Sequence, residues 1–131
     1  MKKSFLLFVS AVSLFLFSCK KEETKTPTQL LQNKWIANSQ ELMGSTVTLN
    51  DGSYLQFNSG NTGVDYKGSN KTTGAFSYTL DDAGKSLAIV DTDNNGGNYN
   101  YTWTVETLNE TKLTISTNTM FGTMRINLTK E

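Results

Sequence analysis

The chain has 131 residues, enough for about one domain. Its 12 basic and 12 acidic residues cancel, and beyond the lysine pairs near its start it has no basic patch or stripe of the kind nucleic acid requires. It has one cysteine and no histidine, which excludes an intrachain disulfide, Ser-His-Asp triads, histidine metal sites and the commonest general base.

The first element is a leader. Met1-Lys2-Lys3 is basic, and Phe5 to Phe17 is a 13-residue, predominantly apolar run without a charge. The run is shorter than the roughly 20 residues a membrane-spanning helix takes, and it fits the h-region of a secretory signal peptide. It ends in Leu16-Phe17-Ser18-Cys19, which resembles the lipobox of bacterial lipoproteins. That resemblance implies cleavage before Cys19, lipid on its sulfur and a fatty acyl group such as palmitate on its new amino terminus. Several chains together hold a protein on a membrane where one would bind weakly. Cleavage removes Lys2 and Lys3 and leaves ten basic residues against twelve acidic ones, near −2.

Lys20-Lys21-Glu22-Glu23 and Thr24 to Thr28 follow, with the single proline and no large apolar residue. This composition reads as a flexible tether. The charged run after the cysteine also resembles the surface-export signal of some Gram-negative lipoproteins. Both the periplasmic face of the outer membrane and the cell surface therefore stay open. The expected organisation is a signal peptide at residues 1–18, a lipidated cysteine and tether at 19–28, and a folded domain at 29–131.

The domain reads as all-β. A single helical turn is expected at Thr28 to Gln32. Strands are expected at Trp35 to Ala37, Thr46 to Leu49, Tyr54 to Phe57, Val64 to Tyr66 and Gly74 to Leu80. Ser86 to Val90, Tyr99 to Leu108, Lys112 to Ser116 and Gly122 to Thr129 complete the series. No helical periodicity appears over any window of about 12 residues beyond Pro27. Three short polar segments are expected as hairpin turns: Asn50 to Ser53 with its Asp-Gly pair, Asp81 to Lys85, and Leu108 to Lys112. Short turns join antiparallel neighbours, and a meander of this many strands removes its exposed edges by closing. In Tyr99 to Glu106 the odd positions are Tyr, Tyr, Trp and Val and the even ones are polar, so one face meets a core. A fully packed Trp103 would then be worth about 3 kcal/mol.

Leu30-Leu-Gln-Asn-Lys-Trp-Ile36 resembles the opening of lipocalin-like domains, a leucine-rich turn followed by Gly-x-Trp on the first strand. Gly52 to Phe57, Gly74 to Leu80, Lys85 to Ile89, the Trp103 strand and Lys112 to Ile115 follow in an order similar to the small lipocalin-like lipoproteins of Gram-negative bacteria. The resemblance implies an antiparallel eight-stranded up-and-down barrel, with the short helical turn ahead of it. Asn33 stands where the glycine of Gly-x-Trp would be, and the domain is shorter than a typical lipocalin. Such a barrel can be filled by side chains or can hold one small ligand. The resemblance also implies a cation–π contact between Trp35 and Arg125 that closes the barrel, although Arg125 has the parity opposite to Met124, Ile126 and Leu128.

Asp91-Thr-Asp-Asn-Asn-Gly-Gly-Asn-Tyr-Asn100 invites two readings. A calcium loop beginning at Asp91 would use Asp91, Asp93 and Asn95, with Gly96 at its sixth place. Its twelfth place should be a bidentate glutamate, and Thr102 stands there. A glycine-rich loop between two strands is the reading carried forward, with no metal and no other cofactor. The aspartate pairs lie in polar turns, so no catalytic residue is assigned and an enzyme is not expected. Binding is expected instead: a small apolar ligand lined by Tyr54, Phe57, Phe76, Tyr78, Tyr99, Tyr101 and Trp103. The same aromatic residues suit ordinary core packing. The alternative is a filled barrel that meets a protein or glycan through outer faces such as Thr102, Thr104, Thr114 and Ser116. A monomer, held to the membrane through Cys19, is expected in either case.

Overall fold

The computed structural model describes residues 22–93 and 99–131. The leader, Cys19, Asn95 and Gly96 lie outside the described residues. Among the described residues one short helix, α1 (Pro27–Leu31), precedes nine strands. These are β1 (Lys34–Leu42), β2 (Ser45–Thr48), β3 (Tyr54–Phe57), β4 (Thr62–Lys67), β5 (Thr72–Leu80), β6 (Ser86–Asp91), β7 (Thr102–Leu108), β8 (Lys112–Thr119) and β9 (Gly122–Lys130). The helix begins inside the stretch expected as tether. Pro27 takes the first helical position, where its missing N–H costs nothing, and Thr26 and Gln29 form a reciprocal capping box.

Every pairing is antiparallel, and β9 returns to pair with β1. The result is a closed eight-stranded barrel with β2 as an extra strand. β2 and β3 do not pair with each other. Both pair with β1, Ser39 facing Thr48 and Ile36 facing Tyr54, while β9 holds the other edge. The Asp51-Gly52 pair is therefore not a hairpin turn. It lies in a bow of chain that leaves β1 after Leu49 and rejoins it at Ser53, whose carbonyl accepts from the Ala37 N–H. The hairpin falls instead at Met43-Gly44, where both central residues have positive φ, 53° and 77°. That geometry matches the twist of the flanking strands. Methionine is an unusual occupant of its first central place, so composition did not announce it.

Period-two alternation holds within strands and breaks at two bulges. Asn38 is extra in β1 against β9, and Glu106 is extra in β7 against β8. Each bulge reverses which parity faces inward. Trp35 and Ala37 point into the barrel before the first bulge, and Gln40 and Leu42 line its interior after it.

The barrel is filled at one end. Leu31, Trp35, Leu55, Phe57, Leu87, Trp103, Leu113 and Ile115 are completely or almost completely buried there. The Trp35 indole N–H donates to the Leu31 carbonyl at 2.8 Å, which fastens α1 across the opening. Pro27 lies against Gly84 in the β5–β6 turn, and Lys25 pairs with Glu110 in the β7–β8 turn at 2.9 Å. The chain thus enters the domain at the closed end.

Candidate binding cavity at the barrel mouth

The opposite end is open. A cavity of about 510 Å³ is walled by the end of β1 (Gln40, Leu42), the β8–β9 hairpin (Asn118 to Phe121, Met124), Ile126, Tyr99 and Tyr101. The volume falls in the range of small-molecule sites. Its rim is apolar and solvent-facing, with Met120 91 % and Phe121 64 % exposed at the hairpin tip.

The expected aromatic lining separates into three groups. Tyr99 and Tyr101 line the cavity. Phe57, Phe76 and Tyr78 form a mutually edge-on cluster with ring centroids 5.1 to 6.5 Å apart, buried in the core with Trp103. The Tyr78 hydroxyl donates to the Asn58 carbonyl at 2.8 Å, and the Trp103 indole N–H donates to the Tyr99 carbonyl at 2.9 Å. Tyr54 is on the outside. It has the parity opposite to Leu55 and Phe57, stacks on Tyr66 at 5.4 Å, and carries Lys34 over its ring at 4.4 Å. Residues 54 and 57 cannot share a strand face, because the side-chain period is two.

Trp35 and Arg125 do not meet. Trp35 pairs with Lys130 in register, whereas Arg125 lies opposite Glu41 near the far end of β1. Arg125 points outward and bonds two carboxylates, Glu41 at 2.9 Å and Glu106 at 2.8 and 3.0 Å. Hydrogen bonds from Arg125, and then from Ser116, hold the Glu106 carboxyl below its ordinary range. Two carboxylates outcompete an indole face for a guanidinium, since charge-assisted forked bonds are the stronger interaction. Arg125 does cross the β1–β9 seam, with different partners from those expected.

Asp91 ends β6 and Thr102 begins β7, so strands flank the glycine-rich segment as expected. Asp93 Oδ2 accepts the Ala75 N–H at 2.7 Å. Among the described residues no group of three acidic or thiol side chains is arranged to hold a metal.

The sequence did not single out Asp65. Alternation by hydrophobicity would turn Val64 and Tyr66 inward, yet β4 buries Gly63 and Asp65. The reason is volume: the Phe76 ring lies where a side chain at 63 would be, and the Asp65 carboxylate lies where one at 74 would be. Asp65 is 4 % exposed. Burial pushes its carboxyl above the ordinary range, the Lys67 charge opposes this, and Asp91 adds to it. Tyr99 is pushed up to about 12, chiefly by burial and then by the Asp65 charge, and stays a neutral phenol. The available signal was one acid between two apolar residues in β4, with Gly63 in the same strand and Gly74 in the next.

No protein-family model matches the sequence, and no curated protein matches it either. Solved structures do share its architecture. A lipocalin-like protein from Bacteroides uniformis ATCC 8492 superposes with a TM-score of 0.59 at 16 % identity, over 78 % of this chain and 99 % of that one. The fold is a lipocalin-like barrel. An uncharacterized protein from Bacteroides eggerthii DSM 20697 shares the barrel with a TM-score of 0.57 at 15 % identity, over 77 % of this chain and 99 % of its own. At these identities the likeness concerns the lipocalin-like fold alone.

Proposed function

We propose that the protein is a lipid-anchored lipoprotein of a Gram-negative outer membrane whose lipocalin-like barrel binds a small, largely apolar molecule in its mouth. The observation that carries the binding reading is the 510 Å³ cavity, walled by Leu42, Met120, Phe121, Met124, Ile126 and Tyr99. An exposed apolar rim at Met120 and Phe121, leading into a recess with Leu42, Met124 and Ile126 beside Gln40, Asn118 and Thr119, is costly to keep in water unless something uses it. The anchor rests on the basic start, the short apolar run and Cys19. The tether joins the closed end, so a lipid at Cys19 leaves the mouth facing away from the membrane. Either face of the outer membrane suits that orientation. The barrel acts as a monomer, without cofactor and without catalysis. The lack of histidine supports the last point.

Displacement of N-phenyl-1-naphthylamine from purified protein, together with mass spectrometry of a gentle organic extract, tests the binding. Saturable probe uptake that falls in Phe121→Ser supports it; no uptake and repeatedly empty extracts would overturn it. Growth with radiolabelled palmitate tests the anchor, which predicts label in the wild type and none in Cys19→Ala.

A second reading is favoured by the packed aromatic half of the barrel: an envelope module with a filled interior that meets a protein or glycan through its outer face. Thr102 and Thr104 are exposed there, while Ser116 is buried beside Arg125 and Glu106. Capture of a discrete partner from outer-membrane extract, undisturbed by Phe121→Ser, would favour this reading over ligand carriage.

A further inference from the structure

The mouth cavity is walled by β1, β8 and β9 with a mixture of apolar and polar side chains. Beside it, Asp65 on β4 and Asp91 on β6 bound a separate small niche. Tyr99 belongs to both, because it lines the cavity and also this niche of about 10 Å³, bounded by Asp65, Phe76, Ile89, Asp91 and Asn100. A space of that size holds about one water-sized group.

Asp65 is the unusual member. It is a nearly fully buried carboxylate inside a barrel, where burial of a charge is costly without a partner. Among the described residues no side chain hydrogen-bonds to it; its own backbone N–H and the charge of Lys67 favour its ionised form. The Lys67 charge acts on it more strongly than either Asp91 or Asp93, which add negative potential. Gly74 supplies the room in which the carboxylate lies. A core built only for stability would have an apolar residue at 65 and no glycine at 74.

We propose that the cavity selects amphipathic molecules whose apolar body ends in a small donor, a primary ammonium above all, and that Asp65 receives that end in the niche beside Tyr99. This rests on the binding reading and deepens it. The apolar body lies against Leu42, Met124 and Ile126 while the head reaches past Tyr99. The niche admits one small group, so a trimethylated ammonium is too bulky to reach the carboxylate. A carboxylate head is repelled by Asp65 and Asp91.

The test is displacement of N-phenyl-1-naphthylamine by laurylamine, lauryl alcohol, laurate and lauryltrimethylammonium, with the wild type and Asp65→Asn. The expected order for the wild type is laurylamine tightest, by about tenfold over laurate. The trimethylammonium compound should gain nothing over the alcohol. In Asp65→Asn the amine preference should vanish while alcohol binding is kept. Equal binding of all four to the wild type, or an amine preference that survives in Asp65→Asn, would overturn the assignment and leave the apolar cavity standing. Binding of none of them would overturn the cavity reading and the assignment together. The wild-type order decides the matter even if the variant folds poorly.

Discussion

Gly74 stands opposite Asp65 across the β4–β5 pairing, and the Asp65 carboxylate occupies the space that a side chain at 74 would fill. The two residues form one unit. Gly74→Ala should cost about 1–3 kcal/mol by overpacking. In an Asp65→Ala background the same change should be much less costly, since the carboxylate it strikes is gone. Urea unfolding of both single variants and the double variant measures the coupling, and strictly additive losses would show that the residues act independently.

Asp65 should also shape the dependence of stability on pH. Its folded carboxyl is raised above the ordinary 3.8, so in that window the native state holds more protons than the unfolded one. The favourable contribution is complete below 3.8 and is lost as pH rises through the folded value. At neutral pH the charge is a net cost, and Asp65→Asn should raise stability there by up to about 1 kcal/mol, the figure kept small because the Lys67 charge offsets part of the cost of burial. Thermal melts of wild type and variant at neutral and acidic pH check this. A variant less stable at neutral pH would contradict it.

Glu106 has the opposite sign. Its carboxyl is held below the ordinary 4.5, first by the Arg125 hydrogen bond and then by Ser116. The stability this contributes is present above 4.5 and is lost as pH falls through the folded value. Arg125→Gln should flatten the acid side of the stability curve and make the melting temperature less sensitive to added salt, because these partly exposed pairs are screened. Identical salt and acid responses in the two proteins would mean that the three-residue bridge contributes nothing.

Core and cavity should separate cleanly by mutation. Trp103 is wholly buried, and Trp103→Ala should cost about 3–5 kcal/mol. Phe121 is mostly exposed at the rim, and Phe121→Ser should change stability by less than about 0.5 kcal/mol while weakening uptake of an apolar probe. Unfolding curves and probe titrations on the same two variants read out both effects.

Local signals were enough for much of the architecture. Alternation in Ser86 to Val90, Lys112 to Ser116 and Met124 to Leu128 marks strands whose inward residues are the buried ones, and the short polar turns at Asp81 to Lys85 and Leu108 to Lys112 mark antiparallel neighbours. These features depend on nearest neighbours along the chain, which a sequence displays directly. The Asp51-Gly52 pair misled because a turn dipeptide says that the chain bends, not which strands it leaves side by side. Tyr54 misled because hydrophobic character does not declare a face; register does. Only the closed barrel decided that Asn38 and Glu106 bulge, that Arg125 meets Glu41 and Glu106 rather than Trp35, and that the aromatic cluster fills one end while the other stays open. Asp65 became legible only there too, because its environment is assembled from β4, β5, β6 and Tyr99, and the glycine that admits it lies on a different strand. Facing, volume and charge across strands are properties of the closed sheet, and no stretch of chain contains them.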